Sequence, residues 1–228
     1  MSIKYKNNGT WVEAPVNVIQ KSDSKFTSLL DRSITEVTAE DLKDCTIIRE
    51  YAFYSCYDLE RIEIPNGITE IGAGAFYLCY ALKNIVIPDS VTSIGNDAFR
   101  SSYITSITLS QNITTIPQYC FTGCHNLENI TIPDKVTDIK MYSFQNCSAL
   151  KYVIIPPNIN KIDRQTFQNC TSMEYYDFTR CTAVPTLSYT NAFSGIPSTC
   201  EIRVPSSLYD QWIAATNWST YASNIVAV

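Results

Sequence analysis

Histidine, cysteine and the carboxylates carry most enzyme chemistry, and their placement in this sequence argues against catalysis. His125 is the single histidine. A Ser-His-Asp triad would have to use it, and no Gly-x-Ser-x-Gly elbow is present. It follows Cys124 at a place where other segments carry Tyr57, Tyr80 and Ser148, so it reads as an exposed loop residue. Only seven glycines occur, and no Gly-x-x-x-x-Gly-Lys-Ser/Thr loop is there to cradle phosphate. The acidic residues are dispersed, so no glycosidase-like carboxylate pair stands out. No catalytic residue and no cofactor is expected.

The nine cysteines need separate treatment. Cys56, Cys79, Cys124, Cys147 and Cys170 recur at one position, which Ser102 takes in a further segment. Cys45 reads as the first member of the same series. Zinc sites use cysteine pairs about two to four residues apart, so no metal is expected. Cys120 lies near Cys124 but fills a small-residue slot held elsewhere by Ala52, Ala75, Ala98 and Ser143. Thiols stacked in a buried column behave as small apolar side chains. Neighbours in such a column lie within disulfide reach, yet nine is odd and Ser102 shows that the slot works without sulfur. Reduced packing residues are the expectation.

The chemistry left is that of a surface. The chain has 228 residues, a net charge of -5, 15 tyrosines and 17% charged residues. A usual charged share is about 25%, so the polar surface is built largely from Ser, Thr, Asn, Gln and Tyr. Nucleic-acid binding needs clustered Lys and Arg, which the acidic balance argues against. No stretch approaches the roughly 18 apolar residues of a membrane span, so no membrane insertion is expected. The start, MSIKYKNNGTWVEAPVNVIQ, lacks the apolar region of a secretory signal.

The elements that position these residues are set by a repeat. Phe53, Phe76, Phe99, Phe121, Phe144, Phe167 and Phe193 are spaced by 23, 23, 22, 23, 23 and 26 residues. After the Cys position comes an apolar residue (Leu59, Leu82, Ile104, Leu127, Leu150, Met173), then an alternating pair such as Ile62/Ile64, Ile85/Ile87 or Val153/Ile155. Alternation of this kind marks a strand with one buried face. Pro65, Pro88, Pro133, Pro156 and Pro205 follow directly and end it, while Ser110 and Thr179 break that rule. A single unit of this length cannot bury its apolar face alone, so the units must stack into one solenoid of about seven or eight coils. Ile34, Val37, Leu42 and Cys45 match the spacing of Ile68, Ile71, Phe76 and Cys79, which predicts a truncated first unit without a strand of its own.

The consensus, seen best in ITEIGAGAFYLCYALKNIVIPDSVTSIG at residues 68–95, resembles the BspA-like, Treponema pallidum-type leucine-rich repeats. The resemblance covers residues 34–205. It implies an α/β repeat fold, a right-handed leucine-rich repeat solenoid with a parallel β-sheet on one face and turns opposite. It also implies a binding role, since members are typically surface proteins that engage host components, other cells or matrix.

The ends differ from the repeats. Residues 1–20 read as a β-hairpin around Asn8-Gly9, and residues 21–33 as a linker. Such a hairpin resembles attachment segments of phage tail-associated proteins, which fits a surface-type repeat lacking an export signal. Residues 206–228 read as a C-terminal helical cap, starting at Pro205-Ser206-Ser207 and using Leu208, Trp212, Ile213, Ala215, Trp218, Tyr221 and Ile225 to shield the last coil.

On the outward face of the strands, one column runs Glu63, Val86, Thr108, Thr131, Ile154, Asp177. Beside it runs Arg61, Asn84, Ser106, Asn129, Tyr152, Tyr175. The front half is polar and the rear half presents Tyr152, Ile154 and Tyr175, residue types favoured at binding hot spots. Lys151, Glu128 and Glu174 supply a polar rim. The candidate binding residues are therefore Tyr152, Tyr175, Ile154, Lys151, Glu128, Asn129 and Thr131. Cross-strand packing that merely stabilises the sheet is the competing explanation. Tyr54, Tyr77 and Tyr103 form a second candidate cluster on the turn side. The expected partner is a protein or glycan on a cell surface, met by a protein displayed on a bacterial surface or a virion. An intracellular scaffold that uses the solenoid for protein assembly is the alternative.

Overall fold

The computed structural model describes residues 32–228 throughout and, before them, the backbone of four strands: Lys4–Asn7, Thr10–Glu13, Ile19–Ser22 and Lys25–Leu29. Each repeat makes one turn around a shared core. Its front strand is followed by a corner, a back strand and a Phe-containing turn. The front strands of coils 1 to 8 are Glu36–Val37, Arg61–Ile62, Asn84–Val86, Ser106–Thr108, Asn129–Thr131, Tyr152–Ile154, Tyr175–Asp177 and Glu201–Val204. The back strands of coils 1 to 7 are Ile47–Ile48, Glu70–Ile71, Ser93–Ile94, Thr115–Ile116, Asp138–Ile139, Lys161–Ile162 and Thr186–Leu187. Successive coils pair in parallel, as in the register Ile130, Val153, Tyr176, Ile202.

The corner follows from proline chemistry. Pro65, Pro88, Pro133 and Pro156 end the front strands, and their carbonyls accept from the N–H of Ile68, Val91, Val136 and Ile159, closing a tight turn. Where proline is absent, side chains rebuild the corner. Ser110 Oγ donates to the Val91 carbonyl at 2.5 Å, and Asp177 Oδ1 accepts from Thr179 N and Oγ1 at 2.9 and 2.6 Å. In the Phe turn the rings stack coil on coil, with centroids 5.1 to 5.5 Å apart from Phe53 to Phe193. All seven are fully buried.

Two expectations about the front end are corrected. The first coil does have a front strand: Glu36–Val37 pairs with Arg61–Ile62, and Ile48 pairs with Ile71. Val37 is therefore the counterpart of Ile62, and Cys45 stands under Ile68, as the bond from Thr69 N to Thr46 O at 2.7 Å shows. Cys45 is not a member of the thiol column. The misalignment arose because coil 1 has no corner proline; buried Asp41 closes the corner instead, accepting from Thr38 N and Oγ1 at 2.9 and 2.6 Å. Nor are residues 21–33 simply a linker. Ile19–Ser22 and Lys25–Leu29 pair antiparallel, and the second of them pairs in parallel with Ile47–Ile48. An open back edge at coil 1 would expose a row of unpaired N–H and C=O groups, and this strand covers it.

At the rear, a 3-10 turn Ser206–Leu208 leads into helix α1, Tyr209–Ala214, and a second 3-10 turn Trp218–Tyr221 follows. Trp212 and Trp218 are fully buried against Phe178, and Trp218 Nε1 donates to Pro185 O at 2.7 Å. The segment is more than a helical lid. Ile225–Ala227 returns to the sheet as a ninth parallel front strand beside Glu201–Val204.

The ladders are not continuous. The front column is interrupted between coils 2 and 3 and between coils 4 and 5, and the back column between coils 3 and 4. The back interruption has a plain cause. Gly72, Gly95, Lys140, Asp163 and Ser188 each donate an N–H to the preceding back strand, whereas the equivalent residue of coil 4 is Pro117, which has none. Near the second front interruption, coil 4 is one residue short: Ser102-Tyr103-Ile104 stands where coil 3 has Cys79-Tyr80-Ala81-Leu82, and Ile107 is less buried than the inward residues Ile85 and Ile130.

Candidate functional site

The front face carries outward side chains of every coil at the spacing of neighbouring strands, about 4.8 Å. On coils 5 to 7 the structure places all seven sequence-predicted residues together. Asn129 and Tyr152 are in register with Tyr175, and Thr131 and Ile154 with Asp177. The Tyr152 and Tyr175 rings stack with centroids 5.5 Å apart and planes 6° from parallel. Lys151 Nζ donates to Glu128 Oε2 at 2.9 Å, and this hydrogen bond raises the lysine pKa. Both partners are exposed, so the pair marks an edge and adds little stability.

One member of the stack was not among the predicted residues. Arg203 Cζ lies 3.8 Å from the Tyr175 ring centroid, and Arg203 Nε donates to Glu201 Oε2 at 2.7 Å. The signal was in the sequence, because Glu201 and Arg203 are the outward residues of strand Glu201–Val204. The stack thus runs Tyr152, Tyr175, Arg203 and is built before any partner arrives. Tyr152, Ile154 and Tyr175 are each half-buried by mutual packing, and the most exposed apolar side chain of the face is Val86 on the front half, at 63%. Beside Val86 an open depression of about 550 Å3 lies at the interruption between coils 2 and 3, lined by Arg61, Glu63, Asn84 and Ser106 among others. Arg61 bonds Glu63 and lies 3.6 Å from Glu36.

The turn side is organised differently from the expected cluster. Tyr103 does not join Tyr54 and Tyr77; it stacks on Tyr80, which stacks on Tyr57, with centroids 4.7 and 5.1 Å apart. Tyr54 and Tyr77 belong to a separate ladder whose rings are sandwiched by guanidinium groups. Arg32 lies over Tyr54, Arg100 between Tyr77 and Tyr119, and Arg164 over Tyr142, all at 5.2 to 5.5 Å. Asp97 accepts from Arg100 at 3.0 Å and raises its pKa. Tyr54 and Tyr77, and likewise Tyr119 and Tyr142, are 23 residues apart, but 42 residues separate Tyr77 from Tyr119 and Arg100 fills that gap, which hides the ladder from a search for one residue type.

The residues of reactive type are quiet. All nine cysteines are free and buried, and burial pushes the Cys124 and Cys170 thiols up to about 12. His125 is exposed, its Nδ1 is 3.4 Å from Ser148 Oγ, and among the described residues no carboxylate orients the ring. Among the described residues no group of three or more His, Cys, Asp or Glu could hold a metal ion, and no helix is long and apolar enough to cross a membrane.

Residues 46–174 match the BspA type Leucine rich repeat region in six copies. Among curated proteins none matches the chain. Among solved structures, a leucine-rich repeat protein from Eubacterium ventriosum is 27% identical with a TM-score of 0.64, covering 71% of this chain and 43% of its own. A leucine rich cell surface protein from Faecalibacterium prausnitzii is 25% identical with a TM-score of 0.51, covering 72% of this chain and 55% of its own. The chain thus spans about half the length of these two relatives. The T. pallidum leucine rich repeat protein shares the fold at a TM-score of 0.70 and 21% identity, covering 82% of this chain and 91% of its own. With its coils, corner prolines and Phe stack in place and the repeat region matched over more than half its length, the chain belongs to the BspA-type leucine-rich repeat family.

Proposed function

We propose that the chain is a non-enzymatic recognition module that binds a protein or glycan of a cell surface through its front face, as an adhesin-like protein of a bacterial or virion surface. The observation that carries this reading is the prebuilt Tyr152, Tyr175, Arg203 stack beside an ordered ion pair. Aromatic and arginine side chains dominate binding hot spots, and rings already packed lose little entropy when a partner docks. The cell-surface description of the F. prausnitzii relative supports the location. Arrays of glycans and of purified matrix proteins test the binding. The double variant Y152A/Y175A, folded by circular dichroism, should bind its array ligand at least about 2 kcal/mol more weakly. Unchanged affinity removes this face from consideration. Fractionation of the source cells should recover the protein with the envelope or with released particles; recovery in the cytosol alone turns the reading to an internal scaffold.

A further inference from the structure

The two ends of the front-face stack differ. At one end the guanidinium of Arg203 covers Tyr175, whose other face packs on Tyr152. At the other end the free face of Tyr152 looks towards coil 5, where the residue in register is Asn129, a side chain shorter than the ring. Among the described residues no ring and no cation lies on that face. Asn129 and Thr131 are exposed, and among the described residues neither side chain has a hydrogen-bond partner. The contrast with earlier coils is clear: Asn84 Oδ1 accepts from Thr105 Oγ1 and Ser106 Oγ at 3.3 and 2.6 Å. One open aromatic face therefore meets one free amide and one free hydroxyl.

The charge around this step selects the ligand. The nearest cations, Lys151 and Arg203, are held by Glu128 and Glu201 at 2.9 and 2.7 Å, so a phosphate or carboxylate would find no free partner. A protein hot-spot residue is anchored in a well-packed, desolvated pocket, and the floor here is an exposed strand. An aromatic face is the negative side of the ring quadrupole and attracts polarised C–H groups. A molecule with one C–H-rich face and hydroxyls around its rim satisfies both halves of the step.

We propose that Tyr152, Asn129 and Thr131 form a subsite for a neutral hexopyranose, stacked on the free face of Tyr152 with its hydroxyls on the Asn129 amide and the Thr131 hydroxyl. The Lys151–Glu128 pair borders it and offers a donor and an acceptor to the ring substituents. This rests on the reading of the front face as the binding face and narrows it to a ligand class. A chain of sugars leaving the subsite runs along the axis over Thr108 and Val86 towards the depression of about 550 Å3. A single hexose has about twelve non-hydrogen atoms, which at the efficiency of ordinary ligands sets a dissociation constant near 1 mM.

The probes are the methyl α- and β-glycopyranosides of glucose, galactose and mannose, titrated into the full chain with detection of the Asn129 side-chain amide by 15N NMR. At least one glycoside should bind with a dissociation constant of about 1–10 mM and shift that amide. Tyr152→Ala should weaken binding at least about tenfold, and Tyr152→Phe should retain it. Thr131→Arg should block it while leaving the tyrosine stack intact. The proposal is overturned if no glycoside shifts Asn129, or if Tyr152→Ala binds as tightly as the unaltered protein. A matrix protein whose capture depends on Tyr152, with no glycoside bound, would refute the sugar subsite and leave the binding face standing. Array binding that ignores Tyr152 would end both.

Discussion

Cys79, Cys124, Cys147 and Cys170 each donate S–H to the carbonyl of the Phe one coil earlier, at 3.0 to 3.3 Å. The thiol is therefore a small apolar filler that also ties coil to coil. Ser102 breaks the series by turning its hydroxyl to Phe99 O of its own coil at 2.7 Å. These groups make stability pH-dependent with a definite sign. Burial holds Cys124 and Cys170 at about 12, while an unfolded thiol titrates near 8.5. Above that lower value the unfolded chain loses protons that the folded chain keeps, so stability is full at neutral pH and falls as pH rises from about 8.5 towards 12. Denaturant midpoints measured from pH 7 to pH 10.5 should decline, and replacing Cys124 with Ser should flatten the decline. For the same reason a thiol reagent at pH 8 should label the native protein negligibly and all nine cysteines in denaturant.

At the scale of strands and turns, close packing of the coils sets what the chain tolerates. Gly95 sits where a Cβ would lie 2.3 Å from the backbone nitrogen of Ala73, and backbone cannot swing aside as a side chain can. Gly95→Ala should destabilise by about 1–3 kcal/mol in urea titration. Gly67→Ala, whose nearest neighbour would be 3.5 Å away, should be near neutral. Most of this architecture was legible in the sequence, because the strand period of two recurs in nearly every coil and the corner proline in five of the eight. Phe53 to Phe193 fixed the coils, and Ile62/Ile64 and their successors fixed the front strands. The first coil was misaligned because a Thr38–Asp41 turn does the work of proline with unrelated residues. The final strand Ile225–Ala227 was missed because its short apolar run follows two helical turns and reads equally as a continued lid. Columns on one face were legible from the period alone, so Tyr152 and Tyr175 could be paired. Arg203 over Tyr175 and Arg100 between Tyr77 and Tyr119 depend on where long side chains reach across coils, which spacing does not specify.

For the molecule as a whole, stability is a sum of coil and interface terms, and the ends must be sealed. Trp218 seals the rear, packed on Phe178, Phe193 and Trp212 with its indole N–H on Pro185 O. Trp218→Ala should cost about 3–5 kcal/mol, read as a fall in the thermal midpoint and early protection loss by hydrogen exchange in coils 7 and 8. The interruptions matter at this scale too. Front-ladder pairing is absent between coils 2 and 3 and between coils 4 and 5, and back-ladder pairing between coils 3 and 4. Consecutive coils there keep one strand ladder, the core and the backbone bonds of the Phe turn, such as Phe76 N to Ala98 O, Phe99 N to Cys120 O and Phe121 N to Ser143 O at 2.7 to 2.9 Å, and so have one strand ladder fewer than their neighbours. A protein anchored at one end and bound to its partner along the front face would be pulled along its axis. Under such a load these junctions are the compliant ones, and the solenoid would lengthen in discrete steps at coils 2 to 5 while coils 5 to 7, with both strand ladders intact and the tyrosine stack upon them, held their grip.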